Sequence, residues 1–197
     1  MIKNVIFDCS DTLLHFESVD YLTELLSGDR ERAERIHKTL FLSEEWRDYD
    51  RGVYSDSEVS GILLPLLPPE DRRIGALYLE NWFLKYSITE GIPELLDELK
   101  AKGYRIFVLS DYPARFETVW NSFDIFKKFD GRIASYEVGS KKYELKPFEM
   151  LLKKYSLQKE ECLFTDDSLG CIEAAEKVGI RTHLFTGVPG LRKALNL

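Results

Sequence analysis

The sequence predicts an α/β fold: a Rossmann-like parallel sheet core with a helical cap subdomain inserted after the first strand. Three observations predict it. Short apolar runs without period-two alternation recur along the chain, as in strands buried on both faces. After residue 90 these runs alternate with amphipathic helical patterns, the signature of a doubly wound sheet. Residues 15–90, by contrast, hold several helical stretches and no convincing strand.

The elements follow in order. Residues 2–8 (IKNVIFD) form a strand that ends on an acid. Helical stretches come next at roughly 18–27, 30–42, 55–66 and 70–86, with breaks at Gly28-Asp29, Arg51-Gly52 and Pro68-Pro69. In 92–102, Ile92, Leu95, Leu96 and Leu99 share one face, Pro93 suits the first turn and Gly103 stops the helix. Strands are expected at 104–110, more weakly at 131–135, and again at 161–166 and 180–185. Helices are expected at 147–156 and at 169–178, the latter closed by Gly179. Residues 1–14 and 91–197 should form the core, and 15–90 the cap.

Composition narrows the function classes. The 197 residues are 44% apolar and 31% charged, a globular balance that can fill a core. With 27 Lys and Arg against 34 Asp and Glu, the net charge is −7, which argues against nucleic acid or an anionic membrane as partner. A small phosphorylated metabolite needs only one or two placed cations and is not excluded. No apolar run approaches the ~18 residues of a membrane span, and the opening residues do not read as a secretory segment. Cys9, Cys162 and Cys171, with His15, His37 and His183, show neither disulfide nor zinc spacing. A cytoplasmic, reduced protein is expected.

In an open parallel sheet the ligand sits beyond the carboxyl ends of the strands. Asp8, Ser110, Asp111, Asp166 and Asp167 fall at those ends. Carboxylates converging on one rim repel one another unless a cation joins them, and oxygen-only ligands point to Mg2+. A carboxylate beside that ion, fixed by a strand as Asp8 is, can attack phosphorus.

At these residues a family resemblance becomes specific. Phe7-Asp8-Cys9-Ser10-Asp11-Thr12-Leu13-Leu14 resembles the first motif of the haloacid dehalogenase-like (HAD) hydrolases. Residues 104–111 resemble the second motif, and Phe164-Thr165-Asp166-Asp167-Ser168 with the following helix and Gly179 the fourth. The helical block sits where the family inserts a small cap, and Trp46 to Ser55 (WRDYDRGVYS) is similar to a cap segment of the branch that includes sugar-phosphate phosphatases. For the third motif, register favours Lys142, with Lys146 of Lys146-Pro147 as the alternative.

The resemblance implies a magnesium-dependent phosphatase acting on a sugar phosphate or similar molecule. Asp8 would be the nucleophile; Asp8, the Ser10 carbonyl and Asp167 or Asp166 the metal ligands; Ser110, Asp111 and Lys142 the phosphate-binding set. Cap residues near Trp46–Arg51 are candidates to line the substrate pocket. One departure stands out. Ser10 occupies the position of the family's general acid/base Asp, a loss worth roughly 10²–10⁴ in rate. Asp11 would be displaced along the turn and is no obvious substitute. A slower phosphatase, a HAD-fold protein that binds a phospho-ligand without turnover, and a dehalogenase-type hydrolase all remain open.

Overall fold

The computed structural model describes residues 1–197. β1 (Asn4–Phe7) is buried at every position and becomes the centre of the sheet. A tight turn leads to β2 (Leu14–Phe16), after which come α1 (Ser18–Leu25), α2 (Arg30–Phe41) and α3 (Glu44–Asp50). Side chains start two of these helices: Asp29 accepts from the Arg32 N–H at 3.0 Å and Ser43 from the Trp46 N–H at 3.0 Å. Two further helices, α4 (Val59–Leu63) and α5 (Arg72–Asn81), are separated by 3-10 turns at Pro65 and Pro69. β3 (Tyr86–Ile88) then returns the chain to the core.

The second half alternates strand and helix. α6 (Ile92–Ala101), β4 (Arg105–Ser110), α7 (Phe116–Ser122), β5 (Gly131–Ala134), α8 (Ser135–Val138) and α9 (Lys146–Lys154) lead to β6 (Cys162–Asp166). α10 (Leu169–Val178), β7 (Arg181–Leu184) and α11 (Val188–Leu195) complete the fold. The main sheet is parallel, in the order β5-β4-β1-β6-β7. No helix is long and apolar enough to cross a membrane.

Register aligns the functional ends. Phe7 lies level with Val108 of β4 and Thr165 of β6. Asp8 therefore comes level with Asp166, and one residue short of Ser110. The chain passes from β1 to one side of the sheet and later to the other, so loops diverge from both flanks of β1 and leave a crevice at the carboxyl rim.

Alternate residues of each strand feed the two faces. Val5, Phe7, Ile106, Val108 and Leu163 join the larger core, while Ile6, Phe107, Leu109, Phe164 and Ile133 join the smaller one with Phe148 and Leu151 of α9. The larger core runs on without a break into the helical block, through Leu22, Ile36, Leu40, Trp46 and Trp82.

The expectation of no strand within 15–90 is corrected at both ends of that segment. β2 and β3 pair antiparallel, Leu14 opposite Ile88 and Phe16 opposite Tyr86, and form a two-stranded ribbon where the helical block leaves and rejoins the core. Each strand has only three residues and a partner far away in sequence, so no local alternation betrays it. The helix expected to reach residue 86 stops at Asn81, and the one expected at 55–66 shrinks to α4 before Pro65.

Gly131 generates a stability prediction. A Cβ there would lie 2.2 Å from the Tyr155 ring, whose hydroxyl is fixed between the Arg132 N–H and C=O at 2.9 and 3.0 Å. Gly131→Ala should lower the free energy of unfolding by about 1–3 kcal/mol. Urea titration should show an earlier midpoint with an unchanged slope.

Candidate active site

The turn after β1 is built by its own backbone. The Asp8 N–H donates to Thr165 C=O at 2.9 Å, and the Leu13 and Leu14 N–H groups both donate to Cys9 C=O at 2.9 Å. Asp11 adopts a left-handed conformation (φ 55°), which Asp tolerates better than most residues, and its N–H donates to Leu14 C=O. Asp8 is thus held rigidly beyond the strand end, only 6% exposed.

Lys142 is the buried cation of the site. It lies in a 3-10 turn, 3% exposed, and its Nζ donates to Asp8 Oδ1 and to Asp166 Oδ2, each at 2.6 Å. Lys146 is on the surface, its Nζ bonded to Val138 C=O at 2.5 Å, so of the two candidate lysines only Lys142 meets the carboxylates. Asp166 ends β6, and its other oxygen accepts from the Ser168 N–H at 2.7 Å.

Asp8, Asp166 and Asp167 each offer a carboxylate oxygen within 4.8 Å of the others. Asp8 and Asp166 are buried, whereas Asp167 faces solvent. Ser110, 2% exposed, ends the neighbouring strand β4. Asp111 uses Oδ1 to accept from the Lys142 N–H at 2.9 Å, so this side chain positions the lysine's own backbone.

Burial is the largest influence on Asp8 and pushes its carboxyl up, to about 8; Lys142 opposes, while Asp166 and Asp167 add to the push. Burial also works against the Lys142 ammonium, but attraction to Asp166 and Asp8 outweighs it and holds the lysine well above its ordinary range. Asp167 is raised by loss of solvent on its inner side and by Asp166 beside it. With all three carboxylates ionised against one ammonium, two negative charges remain, which a divalent cation would match. The donor set is oxygen-only, with no His or Cys in it, and fits a hard ion such as magnesium.

Several contacts were invisible in the sequence. Lys141 reaches Asp50 of α3 at 2.6 Å, with Asp111 Oδ2 at 3.9 Å. Asp50 is buried, which raises its carboxyl to about 7 against the pull of Lys141. Ser10 Oγ is 3.2 Å from the Tyr86 hydroxyl, which receives a hydrogen bond from the Tyr112 hydroxyl at 3.1 Å. A cavity of about 170 Å³ opens at Ser10 and Asp111 and runs among aromatic residues of the helical block, Trp46 and Trp82 included. Of the segment Trp46–Arg51, Trp46 and Asp50 line it. Asp50 carried the one available signal, an acid within WRDYD. A larger cleft of about 480 Å³ lies at the opposite ends of the strands and shares no residue with the carboxylate rim.

Known proteins place the chain in a family. The family model for haloacid dehalogenase-like hydrolases matches residues 2–179. The sesquiterpene phosphatase astK of Aspergillus oryzae is 27% identical over 143 residues, 72% of this chain and 72% of that one. A HAD-family enzyme of Bacteroides thetaiotaomicron, solved as an alanine variant in complex with magnesium and inorganic phosphate, has a TM-score of 0.75 at 18% identity over 95% of both chains. The L-2-haloacid dehalogenase of Xanthobacter autotrophicus has a TM-score of 0.71 at 18% identity, covering 92% of this chain and 76% of that one. With a family model spanning nearly its whole length and this fold beneath it, the chain belongs to the haloacid dehalogenase-like hydrolases.

Proposed function

We propose that the protein is a magnesium-dependent phosphatase that cleaves the monophosphate ester of a small metabolite through an aspartyl-phosphate on Asp8. The observation that carries this reading is the convergence of Asp8, Asp166 and Asp167 within 4.8 Å, with Lys142 bridging two of them. Two further acids packed against the nucleophile suit a divalent cation, which favours phosphoryl transfer over a metal-independent dehalogenation. The Aspergillus relative, a phosphatase by name, supports the same choice.

In this mechanism an Asp8 oxygen attacks phosphorus, the bond to the alcohol oxygen breaks, and the phosphoryl group rests on Asp8. Water then attacks phosphorus, releasing phosphate and restoring the carboxylate. Magnesium, held by Asp8, Asp166 or Asp167 and the Ser10 carbonyl, would neutralise charge on the phosphoryl oxygens. The Ser110 hydroxyl donates to one of those oxygens. Lys142 offsets the charge between nucleophile and phosphate, and Asp111 fixes the turn that presents it. Residues 15–90 act as a cap that shields the site from bulk water. The departing alkoxide takes its proton from water, because the Ser10 hydroxyl cannot act as an acid near neutral pH.

Asp8→Asn should reduce magnesium-dependent phosphate release by at least ~10³-fold. Release measured over a substrate panel, with chelator and with this variant as blanks, tests it. Activity that survives in the variant removes Asp8 from the mechanism, and a panel with no turnover at all favours the ligand-binding alternative that Ser10 raises.

Magnesium and the proton compete for Asp8, whose carboxyl burial has raised to about 8. As pH falls below that value the ion must displace a proton, so affinity should weaken by up to about tenfold per pH unit. Calorimetry in two buffers should show tighter binding, with fewer protons released, on the alkaline side. An affinity indifferent to pH would contradict the assignment.

Ser10→Asp should raise turnover of esters with poor leaving groups by up to ~10²-fold, and flatten the dependence of rate on leaving-group acidity. The slope across a series of aryl phosphates reads this directly. An unchanged slope would mean that the missing acid does not limit the rate.

A further inference from the structure

We infer that the site takes a phosphate ester whose alcohol is apolar and flat, held between aromatic faces and not by hydrogen bonds to sugar-like hydroxyls. The inference rests on the phosphatase reading above and adds the chemistry of the alcohol.

The cavity begins at Ser10 and Asp111, on the two loops that follow β1 and β4 beside the nucleophile. A phosphate at the carboxylate rim would therefore send its organic part into this space. Beyond the mouth the walls are Phe16, Phe41, Trp46, Trp82, Tyr86 and Tyr112. They come from β2, α2, α3, the turn after α5, β3 and the loop after β4, so they form a box and not the inner stripe of one helix. The rings stack in pairs, Phe41 on Trp46 at 3.8 Å, Phe16 on Tyr86 at 4.8 Å and Trp82 on Tyr112 at 5.3 Å. Trp46, Trp82 and Tyr112 are nearly inaccessible and act as fixed walls, whereas Phe16, Phe41 and Tyr86 are half-buried.

The polar groups of the lining are already engaged. The Ser10, Tyr86 and Tyr112 hydroxyls bond to one another. Asp50 is paired with Lys141, and Asp111 accepts from the Lys142 N–H. A sugar carries hydroxyls along its length, and each needs a partner once it leaves water. The acceptor sites still open, on the second oxygens of Asp50 and Asp111 and on the linked hydroxyls, are few against a sugar's hydroxyls, and the ring faces between them offer none. An apolar alcohol asks for none, gains from its own burial, and if unsaturated lies flat against the rings. The sugar phosphate expected from sequence resemblance is thus the poorer match.

The test compares geranyl phosphate with glucose 6-phosphate, both esters of primary alcohols, on the full chain with magnesium. We expect kcat/KM to favour geranyl phosphate by about tenfold or more, chiefly through KM. Phe41→Ser should narrow that ratio by about fivefold, and Phe41→Leu, which keeps the wall apolar, should restore most of it. A parallel comparison of 1-naphthyl with phenyl phosphate, whose leaving groups are alike, should favour the larger flat ring system, and no preference between them would count against the inference. Tryptophan emission gives a reading independent of turnover, since Trp46 and Trp82 stand in the walls. In Asp8→Asn it should change saturably with geranyl phosphate and not with glucose 6-phosphate. Equal or better use of the sugar ester, or an equal emission response to both, overturns the inference. If no ester releases phosphate while emission still selects geranyl phosphate, the phosphatase reading falls and the apolar pocket stands.

Discussion

One buried ammonium holds the carboxylate rim of this protein together. Lys142 Nζ lies between Asp8 and Asp166, carboxylates on adjacent strands that would otherwise face each other out of water. Taking an acid into the interior is costly unless a cation and hydrogen bonds meet it, and removing one partner of such a group strands the other. The lysine is fixed in turn: Asp111 binds its backbone N–H, and Glu144 caps the turn through the Ser140 hydroxyl and the Lys141 N–H. The sheet register does the rest by bringing the ends of β1 and β6 level.

The loss of an acid at position 10 and the aromatic character of the cavity are physically consistent. Ser10 stands at the mouth of that space with its hydroxyl turned to Tyr86. A carboxylate at the same point would be desolvated against rings, which raises its pKa and takes hydration from it. Burial already holds the Tyr86 and Tyr112 hydroxyls well above the ordinary tyrosine range, so they act as neutral hydrogen-bonding groups and not as proton reservoirs. A small neutral side chain keeps the entrance compatible with what lies behind it.

Much of the frame was legible in the chain because its strands are buried on both faces. Runs such as Asn4–Phe7 and Arg105–Ser110 have no polar alternation to confuse with an edge strand, and each is closed by a polar residue of the rim, Asp8 just past the first and Ser110 at the end of the second. The β2–β3 ribbon was not legible, since Leu14–Phe16 and Tyr86–Ile88 carry no pattern until they meet. The same holds for the cavity: Phe16, Phe41, Trp46, Trp82 and Tyr112 are scattered over most of a hundred residues, and each alone reads as core filling. Lys142 was separable from Lys146 by register, whereas the partnership of Lys141 with Asp50 needed the third dimension.

The Asp50–Lys141 pair has a consequence for how the two parts of the chain change over time. Asp50 ends α3 in the helical block, its C=O accepts from the Ser135 hydroxyl at 2.5 Å, and its carboxylate meets the residue next to Lys142. Exchanging the block for that of a relative without an acid here would leave the Lys141 amine with only Asp111, 3.9 Å away, one peptide bond from the lysine that bridges Asp8 and Asp166. Such a chimera would inherit a foreign pocket and a disturbed Asp8 together. The helical insert and the loop at 140–144 are therefore bound to drift as one unit of inheritance.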